Sequence, residues 1–279
     1  MTVEAVGFLQ DTAFRILDRF RRERLSLALS VRRLRFESLS ACPSCASSSE
    51  AWSVGPEGRD FRARIRTSEC TRCSLVFQNP RLTSESASMF YRRYYRNSFH
   101  TRQKSEQLFA RSCRRGSEIV KFLGQDLDGV RSALEVGCGY GGILVALARR
   151  GIDVQGCDEN PMSVSVATAH GVPVTLGGFD ALPERRYDLI ILSHVLEHVD
   201  QPVPFLERLK SLLAPGGSIF IEVPRIVAST EDRVFQLGHV LYFDSKSLAN
   251  VLSRVGLSIQ KLEDRRDVLR RLVTATAVS

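Results

Sequence analysis

Residues 132–142 read SALEVGCGYGG, a short apolar run that enters a turn with glycine at 137, 139 and 141 and leaves into the helical pattern ILVALARR. Each glycine removes a Cβ that would block the close approach of backbone to a ligand. Nineteen residues beyond Gly139, a second apolar run over 151–157 ends at Asp158 in GCDENP. A carboxylate at that distance, ending the next strand, is placed to accept hydrogen bonds from ribose hydroxyls. Together the two features predict a strand–turn–helix–strand unit with a nucleoside cofactor at its mouth.

The form of the turn narrows the cofactor. Dinucleotide sites need GxGxxG, whose third glycine brings a helix N-terminus to a pyrophosphate. Here Glu135 stands two residues before the first glycine. A carboxylate is a poor neighbour for a pyrophosphate and a good one for a positively charged cofactor. Downstream periodicity predicts strands at 132–136, 152–157, 172–175, 187–193 and 217–223, with helices at 141–150, 161–169 and 201–213 between them. A helix at 245–254 and strands near 257–263 and 267–277 complete the pattern. Alternating segments predict a mostly parallel sheet with helices on both faces. Right-handed crossovers then put the ligand at the C-terminal strand ends.

The cysteines mark a second module. Cys42-x₂-Cys45 and Cys70-x₂-Cys73 form two knuckles with 24 residues between them. Four thiolates from two tight turns close a tetrahedral Zn²⁺ site with no open position, which makes it structural. In a segment without a large core of its own, ligation supplies folding free energy. Intact thiolates also favour a reducing, cytoplasmic setting. Cys113, Cys138 and Cys157 remain, and the last two flank the cofactor turn as small packing residues.

Charge divides the chain unevenly. Residues 1–125 hold 23 Lys+Arg against 12 Asp+Glu, whereas 126–279 hold 16 against 19. Nearly all the N-terminal bases are arginine, which prefers bidentate contacts to phosphate or carboxylate. Apolar residues Phe8, Phe14, Ile16, Leu17 and Phe20 recur among charges at helical spacing, predicting an amphipathic N-terminal helix over 4–38. No apolar run approaches the eighteen or so residues of a membrane span, and the N-terminus lacks the apolar block of a secretory signal. The expected organisation is an N-terminal helix (1–39), a zinc ribbon (40–80), a helical linker (81–125) carrying Tyr91, Tyr94 and Tyr95, and a larger domain (126–279).

The order ExGxGxG at 135–141, Asp158, YDLIILSHVLEHV at 187–199 and LLAPGGSIFIEVP at 212–224 resembles class I S-adenosylmethionine-dependent methyltransferases over roughly 126–279. The resemblance implies a Rossmann-like, seven-stranded, mostly parallel sheet with one antiparallel strand. It places Gly137 and Gly139 under the methionine part of the cofactor, Glu135 near its amino group, Asp158 at the ribose and Ser193 beside the sulfonium. Family members usually show an acidic residue and then an apolar one near the adenine. Here those positions are Gly178 and Phe179, so the carboxylate is missing unless Asp180 substitutes for it, and Phe179 is left to pack on the purine face. Residues 42–97, with CTRCSLVFQNPRLT at their centre, resemble the zinc modules of bacterial methyltransferases of sugar and cell-surface polysaccharide biosynthesis. Ser74 replaces the usual glycine, and the long C-terminal domain of the larger sugar C-methyltransferases does not follow.

The segment His194-Val-Leu-Glu197-His198 gathers three polar groups on one face if a helical turn begins there. His239, in QLGHVLYF, belongs to a loop expected to return over the same pocket. Quinone-biosynthesis O-methyltransferases and small-RNA 2′-O-methyltransferases carry a similar ExxEH that binds a divalent cation, and His194 stands where they have the first glutamate. Three roles stay open: a catalytic metal site, a histidine pair with one member as general base, or helix capping. For a base the choice is His239 or His194, with Tyr242 as an orienting hydroxyl. LSHV after the fourth strand is unlike the NPPY-type loop of amine methylation, which favours oxygen or carbon. The expected function is therefore methyl transfer to a small polar acceptor, a sugar, nucleotide sugar or related metabolite, with the arginines holding its phosphates. The alternatives are an RNA methyltransferase and a non-catalytic partner subunit.

Overall fold

The computed structural model describes residues 34–60, 63–90, 102–182, 185–226, 235–265 and 267–275. Residues 1–33 of the expected N-terminal helix, and Tyr91, Tyr94 and Tyr95, lie outside them. In chain order β1 (Phe36–Glu37) precedes β2 (Trp52–Val54), β3 (Gly58–Asp60), β4 (Ala63–Ile65), β5 (Thr67–Cys70), β6 (Val76–Gln78) and β7 (Arg81–Leu82). Helices α1 (Ser84–Phe90) and α2 (Arg102–Leu123) lead into the second half. There β8 (Ser132–Val136), α3 (Gly142–Ala148), β9 (Asp153–Asp158), α4 (Pro161–Ala169), β10 (Val174–Leu176), β11 (Tyr187–Ser193), α5 (Pro202–Ser211) and β12 (Leu213–Pro224) alternate. After them come β13 (Leu241–Tyr242), α6 (Ser245–Arg254), β14 (Leu257–Asp264) and β15 (Val268–Ala275).

Seven strands form the main sheet in the order β10-β9-β8-β11-β12-β15-β14. Pairings among the first five are parallel, and β15 runs antiparallel to both of its neighbours. The fold class expected from the sequence is thus the one observed. Local chemistry starts the helices where they start. Asn160 accepts from the N–H groups of Met162 and Ser163, with Pro161 fixing the first turn of α4. Asp244 and Ser247 form a reciprocal capping box on α6. At the far end, the Asp188 carboxylate accepts from the N–H of Arg131 and of Ser132, both at 2.9 Å, and ties the start of β11 to β8.

Helix α2 crosses α3 through a glycine pair. A Cβ on Gly142 would overlap the Ser112 carbonyl, and one on Gly116 would overlap the Gly142 carbonyl. That close crossing holds Arg115 over the C-terminal edge of the sheet.

The N-terminal half departs from the expected map in instructive ways. The helix predicted to reach residue 38 gives way to β1, which pairs with β7. The linker expected to be helical over 84–123 holds α1 and α2 among its described residues. The four-stranded sheet of the cysteine module has the order β13-β6-β5-β2, so one of its edge strands comes from residues 241–242. Cys42, Cys70, Cys73, Leu75 and Phe77 share one buried cluster with Leu196, Val240, Leu241 and Phe243. A short cysteine-rich segment lacks the apolar residues for a private core, and here it shares that of the larger sheet.

Candidate active site

The cofactor side is built by the ends of β8 and β9. Gly137 adopts φ 67°, and a Cβ there would lie 2.7 Å from Val195 Cγ2, so the turn has no room for a side chain. Glu135 sits below it, buried, with Oε2 lacking a hydrogen-bond partner among the described residues. Burial pushes its carboxyl well above the usual range, and the nearby Asp158 charge adds to the rise. A buried, half-satisfied carboxylate beside a glycine turn fits a cofactor that brings a positive ammonium. Asp158 accepts from the Gly139 N–H at 2.8 Å and the Asn160 N–H at 2.9 Å. Each of its oxygens retains capacity for a second, ribose, hydroxyl. Phe179 lies on a 3₁₀ turn after β10 and packs edge-on against Phe205, with ring centroids 5.5 Å apart. Asp180 is exposed and faces Arg208 at 3.8 Å. Burial pushes the Cys157 thiol up to about 12 and raises Cys138 as well, in keeping with packing roles.

A second group of polar side chains begins where β11 ends. Ser193 Oγ accepts from Arg115 at 3.0 Å and contacts Glu222 at 3.2 Å. His194 takes up left-handed backbone at φ 56°, so the predicted helical turn starts later, as a 3₁₀ turn over Leu196–His198. Its ring still lies between two carboxylates, with Nδ1 3.2 Å from Glu197 and Nε2 3.6 Å from Glu222. A non-glycine residue held in this region commonly marks a functional site. Full burial alone would raise the Glu197 carboxyl. The His194 hydrogen bond and the surrounding histidines hold it below the usual range instead. Its Oε2 also lacks a partner among the described residues.

His239 comes back over this turn, as the sequence suggested. Its ring meets that of His198 at 4.8 Å, and the Val240 N–H donates to the Glu197 carbonyl at 2.9 Å. One ligand atom from each of Glu197, His198 and His239 lies within 4.8 Å of the others. Tyr242 is placed elsewhere than expected. It is buried beside Phe235, and its hydroxyl accepts from Gln78 Nε2 at 3.1 Å, so it anchors the loop rather than facing an acceptor.

The four predicted zinc ligands converge. Cys42 and Cys73 sulfurs are 3.6 Å apart and Cys45 and Cys70 sulfurs 3.5 Å apart. That is near the edge of a tetrahedron with Zn–S bonds of about 2.3 Å, and much longer than a disulfide. Hydrogen bonding from Cys42 favours the Cys73 thiolate, bringing it down to about 5. The residues fit a closed, structural zinc centre.

Sequence reasoning missed the groups that lace the two halves together. Gln78 Nε2 lies 2.8 Å from the Gln236 carbonyl and 2.7 Å from that of His239, and its backbone N–H donates to Val240. Arg81 reaches the Asp200 carbonyl at 3.2 Å and bonds Glu37. Glu222, fully buried on β12, holds Arg115 and Arg270. Only a carboxylate amid the apolar run SIFIEV hinted at Glu222, and nothing local pointed to Gln78.

A Rossmann-like sheet of this order, with a glycine turn at β8 and an acidic tip on β9, defines a class I S-adenosylmethionine-dependent methyltransferase. The family model described as a methyltransferase domain matches residues 104–262, and the chain belongs to that family. Among curated relatives, the ubiquinone biosynthesis O-methyltransferase of Proteus mirabilis is 31% identical over 112 residues, covering 36% of this chain and 46% of that one. The enzyme of the same name from Methylobacterium nodulans is 36% identical over 97 residues, 32% of this chain and 39% of that one. The chain thus spans less than half the length of these relatives. A solved Burkholderia thailandensis 1,6-didemethyltoxoflavin-N1-methyltransferase, with S-adenosylhomocysteine bound, superposes with a TM-score of 0.55 at 20% identity, over 73% of this chain and 96% of that one. The mitomycin 7-O-methyltransferase gives 0.51 at 17% identity, over 63% and 59%. Among the described residues no helix is long and apolar enough to cross a membrane.

Proposed function

We propose that the protein methylates a hydroxyl oxygen of a small-molecule acceptor, using S-adenosylmethionine. The observation that carries this reading is the packing of His194, Glu197, His198 and His239 into one cluster just beyond the β11 end, next to the glycine turn. The cofactor supplies an already activated methyl group, so the protein's work is binding, alignment and proton removal. Glu135 receives the cofactor's ammonium, Asp158 its ribose hydroxyls, and Phe179 offers an apolar face to the purine. Ser193, fixed by Arg115 and Glu222, lines the route between the two sides. An oxygen acceptor must lose a proton, and a histidine of the cluster takes it, His194 or His239, with Glu197 orienting the rings. The relatives named as O-methyltransferases support oxygen as the acceptor atom. The likeness of the four-cysteine module to those of sugar-pathway enzymes supports a sugar or nucleotide sugar as the acceptor.

A second reading is favoured by the Glu197 oxygen that lacks a partner among the described residues, within reach of His198 and His239. Those three donors suit a divalent transition ion beside the acceptor hydroxyl. Dialysis against a mild chelator that spares the cysteine-bound zinc, followed by add-back of Mn²⁺ or Ni²⁺, separates the readings. Turnover that survives dialysis leaves the histidines as bases.

The function itself is tested by supplying methyl-labelled S-adenosylmethionine and the protein to a cell extract, then separating small molecules, RNA and protein. Label in the small-molecule pool is expected. Label that nuclease releases would overturn the acceptor class.

A further inference from the structure

Between α1 and the acceptor-side loops lies a cavity of about 200 Å³. Leu82, Ser84 and Ala87 wall it from the zinc-module side, and His198, Asp200 and Leu237 from the methyltransferase side. We propose that this cavity takes the reacting ring of the acceptor, a single six-membered ring bearing hydroxyls, clasped between the two halves of the molecule. The proposal rests on the methyl-transfer reading above.

Size sets the first limit. A cavity of roughly 150 Å³ accommodates one benzene ring, so this one has room for a single substituted ring. Lining chemistry sets the second. Leu82, Ala87 and Leu237 offer apolar surface to a ring face, while Ser84, His198 and Asp200 offer hydrogen bonds to its edge. The polar edge is held in place. His198 Nδ1 donates to the Gly238 carbonyl at 2.7 Å, which fixes the plane of its ring, and Arg81 meets the Asp200 carboxylate at 3.4 Å. Position sets the third. His198 lies five residues past the end of β11, on the side of the sheet where the glycine turn opens. A ring seated there has one edge toward the histidine cluster, and the rest of the acceptor extends outward past α1.

A hydroxylated six-membered ring is common to sugars and phenols, and the test separates them. Zinc-containing protein saturated with S-adenosylhomocysteine is examined by saturation-transfer NMR with catechol and with methyl α-D-glucopyranoside. One probe is expected to bind, and its identity tells which source supplies the ring. Ala87→Trp fills the cavity and should weaken that binding by roughly tenfold or more while cofactor affinity and zinc content stay as in the wild type. Ser84→Trp, on the exposed side of α1, serves the same purpose should the first variant misfold. Binding of neither probe, or equal binding to both filled variants, overturns the proposal. Full-rate labelling of the small-molecule pool by Ala87→Trp overturns the cavity alone. Absence of transfer by wild-type protein into any pool overturns the methyl-transfer reading on which it stands.

Discussion

The two sides of the active site are made differently. Most of the proposed cofactor side comes from one stretch of chain, residues 135–160, in which a turn, a carboxylate and a helix cap follow one another, with Phe179 added from the turn after β10. The acceptor side comes from three distant stretches, around 78–81, 194–200 and 236–242. They meet because Gln78, Arg81 and the Val240 N–H reach across a seam. On the proposed reading, cofactor binding is largely a local property of this fold, and acceptor recognition is a property of how the four-cysteine module docks. Such a division is suited to changing the substrate while keeping the chemistry.

The largest effect belongs to Cys70→Ser, which removes a ligand buried in the shared core. Loss of a structural zinc is worth on the order of several kcal/mol, so zinc content should fall to zero and the melting transition should drop or broaden. A metal-free variant that melts like the wild type would remove the zinc assignment.

Asp158→Ala should weaken S-adenosylhomocysteine binding by roughly 100-fold, the loss of two charged hydrogen bonds. Calorimetry that finds unchanged affinity would sink the ribose assignment. Gln78→Ala tests the seam. It leaves the carbonyls of Gln236 and His239 without their donor, and kcat/KM should fall by roughly ten- to thirtyfold. Cofactor affinity should hardly move, and equal losses in both would show that the two sides are not separable.

The smallest effect concerns Glu135 and has opposite signs for stability and binding. Its folded-state pKa lies above the unfolded value. The stability linked to its proton is therefore present below the unfolded pKa and lost as pH rises through the folded one. Glu135→Gln should raise the melting temperature of the cofactor-free protein at neutral pH by about 2–4 °C, for ~1 kcal/mol. It should weaken cofactor binding at the same time, and its melting temperature should depend less on pH above 5 than the wild type's. A variant less stable than the wild type at neutral pH would contradict the burial argument.

This contrast also explains what the sequence disclosed. Glu135, Gly137, Gly139 and Asp158 were legible because strand, turn and helix periods repeat within a few residues, and each period has a distinct chemical cue. The four-cysteine site was legible because ligand spacing is itself geometric. Gln78 was not, since an amide that bonds two carbonyls 158 and 161 residues away has no local signature. Nor was β13, whose two residues read as the continuation of a loop until β6 pairs with them. Tyr242 was expected as an orienting hydroxyl for the histidine base, whereas tertiary packing turns it inward against Phe235. His194 was read as the first residue of a helical turn, whereas its backbone bends to the left and the turn begins two residues later.

On the proposed reading, docking of the four-cysteine module makes the acceptor side and leaves the cofactor side alone. That division is tested most directly by titrating zinc out of the protein with a competing thiol-selective chelator while following two signals, S-adenosylhomocysteine affinity and labelled methyl transfer. Transfer should decline in proportion to bound zinc while affinity for the cofactor product changes by less than about threefold. Transfer that persists at full rate in zinc-free protein, or cofactor affinity that collapses in step with zinc, would contradict it.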